Sequence, residues 1–237
     1  MKTEKKILSK EVISWAFYDW ANSAFATTVI AGFFPIFFKS FWANSLSDTE
    51  STALLGLANS LSGFFILIFA PFLGALADIT FRKKYMLVFF MLIGAGSTAS
   101  FFFIYEGYWM IAVIAYILAS IGFSGGNIFY DSLIIDVSND QSRNQVSAFG
   151  YAMGYLGGGI LFVVNVLMYL QPNIFGLASE IDAVLFSFLS VAIWWSIFTL
   201  PLIKFVKERK GEITSLSLTS TVKNSFFRVI NTFKEIR

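Results

Sequence analysis

The sequence predicts an all-α membrane protein of six transmembrane helices. Three observations carry that expectation: the composition, six long apolar segments, and a one-sided distribution of basic residues. Of the 237 residues, 57% are hydrophobic and 14% charged, with a mean hydropathy of +0.70. An ordinary soluble domain has about 25% charged residues, so this chain lacks the polar surface to be soluble alone. Phenylalanine contributes 29 residues, which suits a lipid-facing exterior.

The spans read, in order, as residues 12–38, 53–77, 85–105, 108–130, 146–170 and 183–203. Each is about 20 residues or more, enough to cross a bilayer as a helix. Their apolar sequence is continuous rather than alternating with a period of two. An outer-membrane barrel is therefore excluded and helices are expected. Pro35 and Pro71 fall inside spans one and two and are expected to kink them. The organisation is a head at 1–11, a six-helix bundle at 12–205, and a basic, amphipathic linker at 206–237.

Every Lys and Arg except Lys39 falls in the head, in the links after spans two and four, or in the tail. The opposite links carry Asp48, Glu50, Glu106, Glu180 and Asp182. The positive-inside rule then places both termini in the cytoplasm, which requires an even number of spans. A cleaved leader is the competing reading of the N-terminus, because Ala24-Phe25-Ala26 resembles a cleavage site. Asp19 and Asn22 interrupt its apolar core, and the run continues past Ala26, so the segment is read as a span. No organelle-targeting segment is visible, which favours a plasma (bacterial inner) membrane.

Several chemistries are excluded. The chain has no cysteine and no histidine, which removes thiolate sites, a Ser-His-Asp triad and a histidine proton relay. No metal or cofactor is expected. The net charge of +2 is too small to point to nucleic acid. Asp19, Asp78 and Asp131 supply carboxylates without a nucleophile–base pair or metal cluster, so the chain does not read as an enzyme.

Asp19 is the most informative residue. A carboxylate at the centre of a membrane helix costs about 2.5–3.5 kcal/mol on insertion scales. On a helix, Trp15, either Tyr18 or Asp19, Asn22 and Ala26 share one face. Span four carries Ser120, Ser124, Asn127 and Asp131 at three- and four-residue steps. One reading is a polar cavity lined by spans one and four, with Tyr18, Asp19, Asn22, Asn127 and Asp131 on the solute path. The other is that Asn and Ser simply bond neighbouring helices, worth about 0.6 kcal/mol each. Asp19 would bind an amine or carry a coupling proton. In span five, Gly150, Gly154, Gly158 and Gly159 let two helix backbones approach closely.

Gly74-Ala75-Leu76-Ala77-Asp78-Ile79-Thr80-Phe81-Arg82-Lys83 resembles the G-x-L-A-D-x-x-G-R-K signature of the major facilitator superfamily. Phe81 stands where the second Gly is expected, and Ile79 where a basic residue is common. The resemblance implies a conformational latch made by Gly74, Asp78, Arg82 and Lys83. The alternative is a positive-inside anchor, in which the basic triplet holds the link at the headgroups. The span-five glycines look like the antiporter signature of the same superfamily, with Tyr155 replacing its proline.

Phe17-Tyr18-Asp19-Trp20-Ala21-Asn22-Ser23-Ala24-Phe25-Ala26 resembles the opening of the vacuole-effluxer (autophagy-related permease) family. Phe129-Tyr130-Asp131-Ser132-Leu133 and the run from Gly150 to Gly159 do so too, with Asp131 where relatives often have Asn. The resemblance implies the N-terminal half of a major-facilitator-type fold, built of two three-helix inverted repeats. It implies secondary active transport of a small solute, with amino-acid efflux attributed to fungal members. Such transporters place two six-span halves around a midplane site. A truncated or split gene, a fragment, and a half that assembles with another chain all remain open. Membrane lipid, a small solute and a second six-span half are the expected partners. A non-transporting scaffold or an inactive remnant is the alternative to a transporter.

Overall fold

In the computed structural model of the chain, residues 8–80, 82–208 and 227 are described, the side chains of 75–80 excepted. Six long helices are found among them. They are α1 (Lys10–Trp42), α2 (Asp48–Thr80), α3 (Lys83–Phe103), α4 (Trp109–Ser132), α5 (Arg143–Leu170) and α6 (Glu180–Phe205). All six are long and apolar enough to cross a membrane, as the hydropathy predicts. The head before Leu8 and the linker beyond Glu208 lie outside the described residues, Phe227 apart.

Local chemistry sets the helix starts. Ser9 caps α1 by accepting the Val12 N–H at 3.3 Å, and Ser179 caps α6 by accepting that of Asp182 at 3.1 Å. α2 begins five residues before the apolar run does. Ser47 and Glu50 form a reciprocal capping box: the Ser47 N–H donates to Glu50 Oε2 at 2.9 Å, and the Glu50 N–H donates to Ser47 Oγ at 3.3 Å.

α1 is not a uniform α-helix. It widens to a π-helix over Phe25–Phe33 and again over Phe38–Trp42. Pro35 lies just after the first wide stretch. A proline removes one backbone donor and crowds the preceding turn, and a wider turn relieves that crowding.

The packing has an internal symmetry. α1 packs on α5 and α6, α4 packs on α2 and α3, and α3 meets α6. Exchanging α1 with α4, α2 with α5 and α3 with α6 leaves that pattern unchanged. α1 and α4 cross the bundle in opposite directions, so the two three-helix units are inverted repeats. Polar side chains join some of these pairs. Tyr116 donates to Asn59 across α4 and α2 at 2.8 Å, and Ser190 donates to Asn165 across α6 and α5 at 3.0 Å.

Close backbone approach fixes the α3–α4 crossing: a Cβ on Gly122 would run into the Gly94 backbone. Phenylalanine is not confined to the lipid face. Phe34, Phe101 and Phe188 are fully buried, with Phe34 ring centroids 5.0 Å from Phe101 and 4.2 Å from Tyr116. Trp42 closes this cluster and donates to the Ile104 carbonyl at 3.1 Å. The core of the bundle is therefore aromatic near the acidic end. α2 is far less covered: 11% of its apolar window is buried, against 33–44% for the other five helices.

Candidate functional site

Asp19 sits on the third turn of α1, about 14 Å along the helix from Lys10. It is half-buried and faces α4 and α5. Ser23, one turn on, donates to Asp19 Oδ1 at 3.2 Å. Two cavities meet at this carboxylate. The first, about 150 Å³, is bounded by Trp15, Asp19, Asn127, Tyr130, Asp131 and Tyr151. The second, about 280 Å³, runs past Ser23, Thr27, Phe123, Gly154 and Tyr155. Asp19, Asn127 and Tyr151 line both.

The structure brings Asp19, Asn127 and Asp131 of spans one and four together around the smaller cavity. Asn22 is buried behind them, and its Nδ2 donates to Asn127 Oδ1 at 2.5 Å. It holds a lining residue rather than lining the cavity itself. Tyr18 is a correction. It is fully buried and turned toward α4, with its ring 5.2 Å from that of Tyr130. Its hydroxyl occupies the space that a Cβ on Gly126 would need. Of these two neighbours, Asp19 is the one that lines the cavities.

The third wall comes from α5, which the polarity pattern alone did not single out. Ser147 and Tyr151 line the first cavity, and Tyr151 and Tyr155 the second. Their signal in the sequence is a step of four, running parallel to the glycines.

Those glycines make room for particular groups. A Cβ on Gly150 would stand 2.8 Å from the Trp15 ring and from the Tyr130 hydroxyl. On Gly154 it would stand 2.9 Å from the Asp19 carboxyl carbon and 2.7 Å from Ser23 Oγ. Gly158 lies against the Ser23 backbone, and its carbonyl accepts from Thr27 Oγ1 at 3.1 Å. Gly159 is a correction: a Cβ there meets nothing within 4 Å, because it points away from α1. Gly157, packed on Trp20, takes that role.

The residues expected to form a latch are described in part. Gly74 has open space around it, Arg82 is exposed, and the Asp78 side chain lies outside the described residues. Lys83 does not reach for headgroups. It is buried, pairs with Asp136 at 2.9 Å, and donates to the Ser132 carbonyl at 3.0 Å. The reason is geometric: α3 starts beside the end of α4, so the ammonium finds a carboxylate closer than the lipid. Glu208 accepts the Lys83 and Lys84 backbone N–H groups at 3.1 and 2.8 Å. Lys84 Nζ in turn donates to the Val206 carbonyl at 2.7 Å. The basic link is a clip between α3, α4 and the end of α6. Among the described residues, no three acidic side chains gather as a metal site would require.

A family model described as "Vacuole effluxer Atg22 like" matches residues 42–140 and 135–237. The chain belongs to the vacuole effluxer Atg22-like family. This Atg22-like chain is 38% identical over 237 residues to an uncharacterized MFS-type transporter, YxiO, of Bacillus subtilis (strain 168). The match covers 98% of the chain and 54% of that relative. An uncharacterized protein of Aquifex aeolicus (strain VF5) is 24% identical over 182 residues, 76% of the chain and 45% of the relative. The chain spans about half the length of the curated relatives it matches. Among solved structures, the inward-open xylose transporter XylE of E. coli superposes with a TM-score of 0.57 at 18% identity. That superposition covers 93% of the chain and 55% of XylE. A D-xylose-proton symporter gives the same TM-score at 17% identity, over 52% of its length. The Atg22-like bundle therefore has the fold of one half of a major facilitator transporter, in an integral, multi-pass membrane protein.

Proposed function

We propose that this chain is the N-terminal half of a secondary active transporter that moves a small solute by alternating access. One observation carries the reading: a half-buried carboxylate, Asp19, stands where two cavities meet between α1, α4 and α5. A charge is kept inside a membrane helix when it serves a solute or ion path. Asp19, Asn127 and Asp131 line that path, Asn22 holds Asn127, and α5 closes the side. Amino acids are the first solutes to test, and efflux the first direction, because the family description is that of an effluxer.

The sparse coverage of α2 and the apolar exposure of Tyr155 and Val163 on α5 fit a second six-span half, on the same or a separate chain. Lipid covers the remaining faces. The basic end, with Lys10, Lys83, Lys84 and Lys204, faces the cytoplasm under the positive-inside rule, so both termini lie there; the plasma (bacterial inner) membrane is the host we propose. The clip built on Lys83 belongs to the latch region, and its partners change when the halves rock. The chemistry is transport rather than catalysis.

The test is flux in proteoliposomes by the transporter completed with its second half. Asp19→Asn is expected to abolish uptake or to remove its pH dependence. Unchanged flux and pH profile in that variant would overturn the role of Asp19. No flux from the completed protein with any small solute would leave a scaffold or remnant as the reading.

A further inference from the structure

The cavity at Asp19 has a one-sided chemistry. Asp19 and Asp131 are the charged residues on its walls, and both are acidic. The adjoining cavity adds no charge beyond Asp19. Three aromatic rings, those of Trp15, Tyr130 and Tyr151, complete the smaller space. Trp15 and Tyr130 stack with centroids 4.3 Å apart and planes 9° from parallel, so they act as one rigid wall. The Trp15 ring N–H is already spent on the Tyr130 carbonyl at 3.1 Å. An independent sign comes from Tyr130. It is 6% exposed, it lines the cavity, and its hydroxyl has no hydrogen-bond partner among the described residues. A buried hydroxyl without a partner is costly unless something arrives to use it.

An ammonium nitrogen answers each of these features. It has three donors and no acceptor, so it suits two carboxylates and a free phenol oxygen. A polyatomic cation is also drawn to aromatic faces. A metal cation would draw on the same wall oxygens but makes no use of three donors, so sodium is the control that separates the two. A carboxylate on the solute meets no cationic side chain here and is repelled by Asp19 and Asp131. The larger cavity, with Ala26, Thr27, Phe123 and Tyr155, takes the carbon body.

We propose that this half seats a cationic amine, and that it prefers a net-cationic amine over the zwitterionic amino acid of the same skeleton. The inference rests on the reading of this cavity as a solute path and deepens it by naming the charge of the solute.

The test uses the purified full chain in lipid nanodiscs and titration calorimetry. Two ligand pairs differ only in a carboxylate: phenethylamine with phenylalanine, and butylamine with norvaline. Each amine is expected to bind at least about tenfold more tightly than its amino acid. Asp19→Asn and Asp131→Asn are each expected to weaken the amine by about tenfold and to erase the preference. Equal or tighter binding of the amino acids overturns the proposal. So does the absence of binding by either member of both pairs up to about 10 mM, or binding of sodium alone. Flux separates this from the transport reading. Amine preference without amine flux in the completed transporter keeps the seat and removes the transport role. Amino-acid flux without amine preference removes this proposal alone.

Discussion

The Asn22 side-chain amide donates to Asn127 Oδ1 at 2.5 Å, across 105 positions of sequence, and so ties the first helix to the fourth where the cavity begins. Asn22 is buried and Asn127 is on the wall. The bond therefore fixes a lining residue from behind. Asn22→Ala is expected to lower stability by about 0.6–1.7 kcal/mol, the range seen for interhelical hydrogen bonds in membranes. Unfolding in mixed micelles, run as a double-mutant cycle with Asn127→Ala, measures it. A coupling energy of zero would mean that the two amides act independently.

The Lys83–Asp136 pair predicts an asymmetry. Both side chains are buried, 8% and 2% exposed. Removing one partner leaves an uncompensated charge and is expected to cost about 3–5 kcal/mol. Lys83→Met combined with Asp136→Leu is expected to recover most of that loss, since an apolar pair of similar volume carries no desolvation penalty. Thermal unfolding of the two single variants and the double variant checks the order.

Gly154 and Gly159 offer a matched pair five residues apart. Gly154→Ala places a methyl 2.9 Å from the Asp19 carboxyl carbon, so the carboxylate must shift. Amine binding in nanodiscs is expected to fall by about tenfold, with a stability loss of about 1–3 kcal/mol from overpacking. Gly159→Ala meets open space. It is expected to leave binding unchanged and to match or slightly exceed the parent in stability, because alanine is the better helix former.

The start of α2 gives a smaller effect. Ser47→Ala removes the oxygen that accepts the Glu50 N–H. It is expected to cost about 1 kcal/mol and to speed hydrogen exchange in the first turn, read by mass spectrometry at residues 48–52.

Much of the bundle was legible because bilayer thickness and hydropathy act on every residue of a span at once. The early start of α2 was not, because residues 47–52 are polar; the Ser47–Glu50 box was the available signal. Asp19 stood out through the cost of its charge. Spacing alone could not separate it from Tyr18, since neighbours on a helix differ by about 100° and packing decides which turns inward. Ser147 and Tyr151 were missed because a serine or tyrosine in a span carries little cost on its own. The buried pairing of Lys83 was not legible under either the latch or the anchor reading, because its partner, Asp136, lies 53 positions away. Phenylalanine was placed outside by composition, yet Phe34 and Phe188 are wholly inside, since tertiary contact rather than residue type sorts an apolar chain in an apolar solvent.

The wide turns of Phe25–Phe33 set the phase between the two ends of α1. Each π turn holds about one residue more than an α turn. The polar row of Trp15, Asp19 and Ser23 is therefore not carried straight on toward Trp42. Phe34, Phe37 and Phe38 face the aromatic core instead. Deleting one residue between Phe25 and Phe33 would swing all three rings by about 100°. The stretch works as a gear between two differently aimed half-helices, and the register of that gear decides which side chains follow Asp19 along α1.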